Sequence, residues 1–263
     1  MNDEQLLGPL LDIAAEAGAG ILEVYATDFA VKLKTDHSPV TAADMGAHEI
    51  ILRGLKRLTP DLPVLSEESS HITFSERRCW ETYWLVDPLD GTKEFISRNG
   101  DFTVNIALVQ RGAPLLGVVY IPVEKTSYYG CMGVGAFRRC ADGETGAIHV
   151  QSLGSGPVRV VASRSHRGEL LDGYVRRLGE HEIVSRGSAL KFCLVAEGAA
   201  DVYPRLGPTS EWDTAAGHAV LLAAGGHVIN VDGSPLSYNS KESLLNPHFI
   251  AYADALRNWR SYL

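Results

Sequence analysis

The run Trp84-Leu85-Val86-Asp87-Pro88-Leu89-Asp90-Gly91-Thr92-Lys93-Glu94-Phe95 carries an apolar strand straight into two carboxylates, a glycine and a threonine. Asp87 and Asp90 are hard oxygen ligands of the kind that suit Mg²⁺, and Pro88 between them stiffens a turn that aims both at one point. Gly91 and Thr92 then offer free backbone N–H groups and a hydroxyl to an anion. The stretch reads as a metal and phosphate site.

Glu67 and Asp213 also follow apolar or aromatic segments at turns or element ends. Four carboxylates brought together without cations would repel, so their convergence demands metal. The plainer reading of any single Asp is a helix cap or a solvated turn, and this is strong for Asp213. It opens a helix whose small residues Ala215, Ala216 and Gly217 pack closely without any active site. His218 lies in the same segment, but Mg²⁺ prefers oxygen and a helix histidine is more often a hydrogen-bonded packing residue.

Candidates for binding an anion are spread along the chain. Ser163-Arg164-Ser165-His166 follows a strand and precedes a helix, where α/β proteins place anion-binding loops. Gly187-Ser188-Ala189-Leu190-Lys191 begins a helix and brings Lys191 as a point charge, although most such lysines face water. Arg205 lies in the loop Tyr203-Pro204-Arg205-Leu206-Gly207-Pro208, which two prolines rigidify. Upstream, the polar segment from Lys34 to Asp44 is explained by a plain loop, or Asp44 holds a threonine hydroxyl or a further metal.

Helical spacing of apolar residues predicts a first helix over Leu6–Tyr25, and a second is expected over Thr41–Leu58 with Thr41 as cap. Short strands are expected at Val31–Lys34 and Pro63–Ser66, and Thr82–Val86 delivers Asp87. Strands at Phe102–Gln110, Pro114–Pro122, Thr126–Tyr129 and Gly135–Arg138 continue as a meander. A Gly/Ser/Pro cluster at Gly154–Pro157 marks a boundary between residues 1–155, helices plus antiparallel sheet, and residues 156–263, a smaller α/β half that completes the site. In that half, strands at Val158–Ala162, Glu182–Val184, His227–Ile229 and Phe249–Tyr252 alternate with helices at Gly168–Leu178, Ser188–Glu197 and Asp213–Ala224, and a last helix starts at Asp254.

The chain has 263 residues, 45% hydrophobic and 21% charged, enough for a substantial core. Its formal net charge of −8 argues against coating a nucleic-acid polymer, and no apolar run approaches the roughly 20 residues of a membrane helix. The acidic start Met1-Asn2-Asp3-Glu4 is unlike a secretory signal, so the expectation is a cytoplasmic protein, free or peripheral on the inner membrane face. Cys79, Cys131, Cys140 and Cys193 lack zinc-site spacing and are read as free thiols. Nothing in the sequence marks an oligomer face.

Ser66-Glu67-Glu68-Ser69, Asp87-Pro-Leu-Asp90-Gly-Thr92 and Trp212-Asp213-x-Ala215-Ala216-Gly217 resemble the inositol monophosphatase superfamily. Lys93-Glu94-Phe95, the Ser-Arg-Ser-His loop and the run from Gly187 to Arg205 are similar to its bacterial CysQ-type 3′(2′),5′-bisphosphate nucleotidase branch; inositol monophosphatases typically have Thr-Asn-Phe after the aspartate motif. The resemblance implies an α/β (α+β) fold, a layered α-β-α-β-α sandwich of the inositol monophosphatase and fructose-1,6-bisphosphatase type. It also implies a lithium-sensitive, Mg²⁺-dependent phosphomonoesterase. Carried over by motif, Glu67, Asp87 and the Leu89 carbonyl hold one Mg²⁺, while Asp87, Asp90 and Asp213 hold a second; a third ion would sit near Asp44 and Glu67.

In the mechanism so implied, a metal-activated water loses its proton with the help of Thr92, oriented by Asp44, with Glu67 beside them, and the second metal neutralises the departing oxygen. Leu89, Asp90, Gly91, Thr92, Gly187, Ser188 and Asp213, with Ser163, Arg164, His166, Lys191 and Arg205, are the residues expected at the substrate. That substrate is implied to be adenosine 3′,5′-bisphosphate, giving AMP and phosphate in sulfate assimilation, with the sulfated PAPS as a second. The alternatives are an inositol or sugar monophosphatase and, from another class, a non-catalytic sensor of nucleotide and metal.

Overall fold

The computed structural model describes residues 3–33, 39–69, 71–162 and 168–263. The chain opens with α1 (Asp3–Tyr25), a short hairpin of β1 (Lys32–Leu33) and β2 (Pro39–Val40), and α2 (Ala42–Leu58). Next come β3 (Val64–Ser66), a 3-10 turn at Glu67–Ser69, α3 (Phe74–Arg77), β4 (Thr82–Asp90) and α4 (Thr92–Ile96). A meander follows through β5 (Thr103–Gln110), β6 (Ala113–Ile121), β7 (Thr126–Cys131), β8 (Gly135–Arg139) and β9 (Thr145–Ile148). The remainder is β10 (Val158–Ala162), α5 (Glu169–Leu178), β11 (His181–Ser185), α6 (Leu190–Ala196), β12 (Val202–Arg205), α7 (Glu211–Ala223), β13 (His227–Asn230), β14 (Phe249–Tyr252) and a 3-10 turn at Trp259–Tyr262.

Strands β3 to β9 form one seven-stranded sheet in chain order, and the second sheet runs β11-β10-β12-β14-β13. Alternation along the strands of the first sheet decides what covers each face, because successive side chains point to opposite sides. Trp84, Val86, Ile106, Leu108, Leu116 and Val118 face the pair α1 and α2, packing on Leu10, Ile21, Ile51 and Leu55. Tyr83, Leu85, Ala107, Val109, Val119 and Ile121 face the other way, into a core shared with α6, α7 and one side of the second sheet. The far side of that sheet buries Val158, Val160, Val202 and Ile250 under Tyr174 and Leu178 of α5 and under Trp259. The result is the expected five-layer α-β-α-β-α sandwich.

The middle helical layer sits close on the first sheet because the contact residues are small. A Cβ on Gly117 of β6 would collide with the Ala216 carbonyl of α7, and one on Gly217 would lie 2.8 Å from Phe192 of α6. The Ala-Ala-Gly run after Asp213 is therefore a packing surface, as its composition suggested, and the close approach also sets how deeply Asp213 reaches toward β4.

Several elements differ from expectation. Pro88 does not end a strand in a turn: β4 continues to Asp90 through a register irregularity against β5 between Asp87 and Asp90, a position where a missing N–H is tolerated. Arg205 lies at the end of β12, not in a loop, because Val202 to Arg205 pair antiparallel with β14. No α-helix starts at Asp254; its place is taken by the 3-10 turn that buries Trp259. The short helices α3 and α4, and β9, have too few residues for a periodicity to register. All four cysteines are free.

Candidate active site

Asp87 lies in the buried, irregular part of β4 and is 1% exposed. Its Oδ1 accepts the Leu89 N–H at 3.1 Å. Asp90 ends the strand, and its Oδ2 accepts from Asn105 Nδ2 at 3.2 Å; Asn105 Oδ1 in turn accepts the Thr103 hydroxyl at 2.9 Å. Asp213 approaches from the first turn of α7, where its Oδ2 accepts the Thr209 hydroxyl at 2.7 Å and the Ser210 N–H at 2.8 Å. The plain capping role expected of Asp213 is thus real, yet it uses one oxygen and holds the carboxylate toward β4. One oxygen from each of Asp87, Asp90 and Asp213 lies within 4.8 Å of the others.

Such a cluster is electrostatically costly. Burial, then the charges of Glu67, Asp90, Asp213 and Asp44, push the Asp87 carboxyl well above the usual carboxylate range. Burial and Asp213 raise Asp90 to about 7, against the opposing influence of Lys191. An all-oxygen set this crowded fits a hard divalent cation, which would supply the missing positive charge and hold the carboxylates ionised.

Glu67 starts the 3-10 turn just beyond β3, one residue past the point where Ser66 pairs with Val86, so it arrives beside Asp87. After burial, its charge is the largest influence on Asp87. Behind it, His48 of α2 and Ser66 are both buried and their Nδ1 and Oγ lie 2.9 Å apart, tying α2 to the strand that carries Glu67. Nothing in the sequence distinguished this histidine from a surface one.

Asp44 holds the Thr92 hydroxyl, one of the three readings open for its segment. Its Oδ2 accepts the Thr41 N–H at 2.8 Å and the Thr41 hydroxyl at 2.7 Å, leaving Oδ1 to accept from Thr92 Oγ1 at 3.1 Å. Thr92 Oγ1 also lies 3.4 Å from the Leu89 carbonyl oxygen. Asp44 is therefore both a helix cap and an orienting group for Thr92.

Beside the acidic cluster opens a cleft lined by Asp90, Gly91, Gly187, Ser188, Lys191, Arg205 and Asp213, all expected, and by Glu94, Tyr203, Thr209 and Thr214, which were not. Lys191 does not face water: it is buried, its Nζ donates to the Ser188 carbonyl at 2.6 Å, and it lies 5.7 Å from the centre of the Tyr203 ring. Burial lowers its pKa to about 8, opposed by the nearby Asp90. Arg205 donates to the Pro208 carbonyl from one nitrogen, while its Nε has no partner among the described residues. Ser163, Arg164 and His166 lie outside the described residues.

The cleft walls are joined by a brace that the sequence did not reveal. Ser188 Oγ lies 2.9 Å from the Asp90 carbonyl oxygen and 2.7 Å from that of Asp101. Asp101 is buried; its carboxylate accepts from Arg186 Nη1 at 3.0 Å and the Gly187 N–H at 3.2 Å. His218, by contrast, takes no part in the cluster: it is buried, with Nδ1 3.0 Å from the Tyr238 hydroxyl oxygen.

Comparison with known proteins places this architecture. The model of the inositol monophosphatase family matches residues 2–260. The chain belongs to the inositol monophosphatase family. It is 52% identical over 246 residues to the 3′(2′),5′-bisphosphate nucleotidase CysQ of Salmonella typhimurium, covering 93% of this chain and 98% of that one. It is 39% identical to the CysQ nucleotidase of Haemophilus influenzae, covering 98% and 97%. Among solved structures, CysQ of Bacteroides thetaiotaomicron, a bacterial member of the family, superposes with a TM-score of 0.83 at 44% identity over 94% of this chain and 97% of that one. This membership accounts for the five-layer sandwich, and members of the family are metal-dependent, in keeping with the acidic cluster of Asp87, Asp90 and Asp213.

Proposed function

We propose that this family member is a 3′(2′),5′-bisphosphate nucleotidase that hydrolyses the 3′-phosphate of adenosine 3′,5′-bisphosphate to AMP and phosphate. The observation that carries the reading is a cluster of three carboxylates, two of which line a cleft together with two cationic side chains, Lys191 and Arg205. A monophosphate needs only the first. A bisphosphate needs a second positive pole, and a lysine and an arginine supply charge-assisted bonds to it. The names of the relatives at 52% and 39% identity support the same substrate class.

In this proposal Glu67, Asp87, the Leu89 carbonyl, Asp90 and Asp213 would hold two Mg²⁺ ions. Bound there, the ions would acidify a water at neutral pH and offset charge on the leaving oxygen. The side chains do the rest. Asp44, fixed by Thr41, accepts the Thr92 proton and so leaves the lone pairs of Thr92 Oγ1 toward the water's proton. The Gly91 and Thr92 N–H groups hold the phosphoryl oxygens as charge shifts, and Gly187 and Ser188 form the cleft wall beside them. Lys191 and Arg205 bind the 5′-phosphate.

The test is phosphate release from adenosine 3′,5′-bisphosphate, inositol 1-phosphate and fructose 1,6-bisphosphate, each with Mg²⁺ and with EDTA. A preference for the nucleotide of at least about tenfold in kcat/KM, lost with EDTA, is expected. Preference for either sugar phosphate would refute the substrate assignment, and turnover that persists in EDTA would refute the metal assignment.

A further inference from the structure

Five charged residues line the cleft: Asp90, Asp213, Lys191, Arg205 and Glu94. The functional reading uses the first four and leaves Glu94 without a task. The fold does not use it either. Glu94 is half-buried on the short helix α4, whose anchoring residue is the fully buried Phe95, and among the described residues its carboxylate has no hydrogen bond or ion pair. A carboxylate in the wall of an anion-binding cleft is also unfavourable for the anion; its charge acts on Lys191, but it receives no hydrogen bond there, so a ligand donor is what its oxygens can still take.

Its place in the wall narrows what that group is. Glu94 Oε2 lies 3.4 Å from where a Cβ of Gly91 would stand, and Glu94 Cγ lies 3.2 Å from the corresponding point on Gly187. Both neighbours are glycines whose missing side chains make room for Ser188 Oγ and Asp101, so Glu94 packs closely beside them, and because it also lines the cleft a ligand atom there can reach its carboxylate. Gly91 is where the reading above places the scissile phosphate. A carboxylate can only accept hydrogen bonds, and both phosphates of the substrate are acceptors as well. The ligand atom at Glu94 must therefore be a donor within a bond or two of the scissile ester.

We propose that Glu94 is a specificity-determining residue, accepting a hydrogen bond from the ribose hydroxyl vicinal to the scissile phosphate. The inference rests on the nucleotidase reading and deepens it. For a 3′-phosphate the donor is the 2′-hydroxyl, and for a 2′-phosphate it is the 3′-hydroxyl. One carboxylate thus serves both isomers, and it repels a phosphate at the vicinal position. The cleft then reads the ribose with Glu94 and the distal phosphate with Lys191 and Arg205.

The experiment is a cycle of two substrates and three proteins: adenosine 3′,5′-bisphosphate and its 2′-deoxy analogue, each with wild type, Glu94→Gln and Glu94→Ala. The deoxy analogue differs in sugar pucker and leaving group, so the wild-type ratio of kcat/KM alone decides nothing; the change in that ratio isolates the contact. Loss of a hydrogen bond to a charged group predicts that the ribo-to-deoxy ratio falls by about 10-fold or more in Glu94→Ala and by a smaller factor in Glu94→Gln. A purely structural role would lower both substrates equally, and that result, or an unchanged ratio, overturns the proposal while leaving the nucleotidase reading intact. A wild-type protein that turns over only sugar phosphates refutes the functional reading, and this inference with it.

Discussion

His218 gives the sharpest thermodynamic prediction. It is 3% exposed on the α7 face that packs into the shared core. The Tyr238 hydroxyl donates to Thr214 Oγ1 at 3.2 Å and lies 3.0 Å from His218 Nδ1, which assigns the proton of a neutral imidazole to Nδ1. Burial alone lowers its pKa from 6.5 to about 3. A histidine whose folded pKa is depressed gains protons first in the unfolded chain. Its contribution is therefore present above 6.5 and is lost as pH falls toward 3. Between pH 7 and pH 5 the linkage amounts to about 2 kcal/mol of lost stability. Urea unfolding of wild type and His218→Gln at both pH values, with EDTA present throughout, isolates this term, because the carboxylates common to both proteins cancel in the double difference. Wild type should lose about 2 kcal/mol more than the variant over that interval. Equal losses would mean that water reaches this histidine, and would refute the assignment of α7 to a dry interface.

Asp90→Asn should abolish Mg²⁺-dependent turnover while the EDTA-treated variant melts at or above the wild-type temperature, since removing one of the clustered charges relieves the repulsion that raises Asp87; a lower Tm would show that Asp90 is structural. Gly91→Ala should cost about 1–2 kcal/mol for a left-handed residue at φ +93° and lower kcat at least about tenfold, because the new Cβ collides with Ser188 Oγ; wild-type kinetics would refute the importance of this close approach. Away from the site, Asp201 is buried and accepts from Arg159 N at 2.7 Å and Nη2 at 2.6 Å, so Asp201→Ala should lose about 3 kcal/mol in urea unfolding with KM of the folded fraction unchanged.

The acidic half of the candidate site was legible because its residues are written in local order. Asp87, Asp90, Gly91 and Thr92 lie within one strand end and the helix that follows, so strand periodicity and residue type already place them together. Asp213 and Glu67 were legible as element ends, and the family motifs supplied the convergence that spacing alone could not. The other half depends on contacts across the fold. Asn105 meets Asp90 only because β4 and β5 pair in the register that aligns Asp87 with Asn105. Lys191 is buried only because α6 lies between two sheets, with Phe192 stacked on Phe249 and edge-on to Tyr203. Arg205 looked like a loop residue because Pro204 argues against a strand, yet β12 tolerates it opposite Ile250. No periodicity over a few residues carries such information.

The two halves of the cleft come from different layers, which explains why it needs its brace. Asp87, Asp90 and Gly91 ride on the first sheet, whereas Gly187, Ser188, Lys191 and Arg205 belong to the α6 layer and the second sheet. Apolar packing between the layers is non-directional and leaves their lateral offset weakly specified. Directional bonds must set it, and they do so from backbone groups on both sides: Ser188 Oγ reaches the Asp90 and Asp101 carbonyl oxygens, while the Asp101 carboxylate holds Arg186 and the Gly187 N–H. Each is anchored within a residue or two of a group that touches the cleft. A shift of an ångström there would move the cationic pole relative to the acidic cluster, and positional errors of that size are costly in catalysis. The strained φ of +49° at Ser188 is consistent with a backbone held by its surroundings rather than by its own preference. The distance between the acidic cluster and the cationic pair is thus set by this brace, which in the proposed function fixes the spacing of the two phosphates.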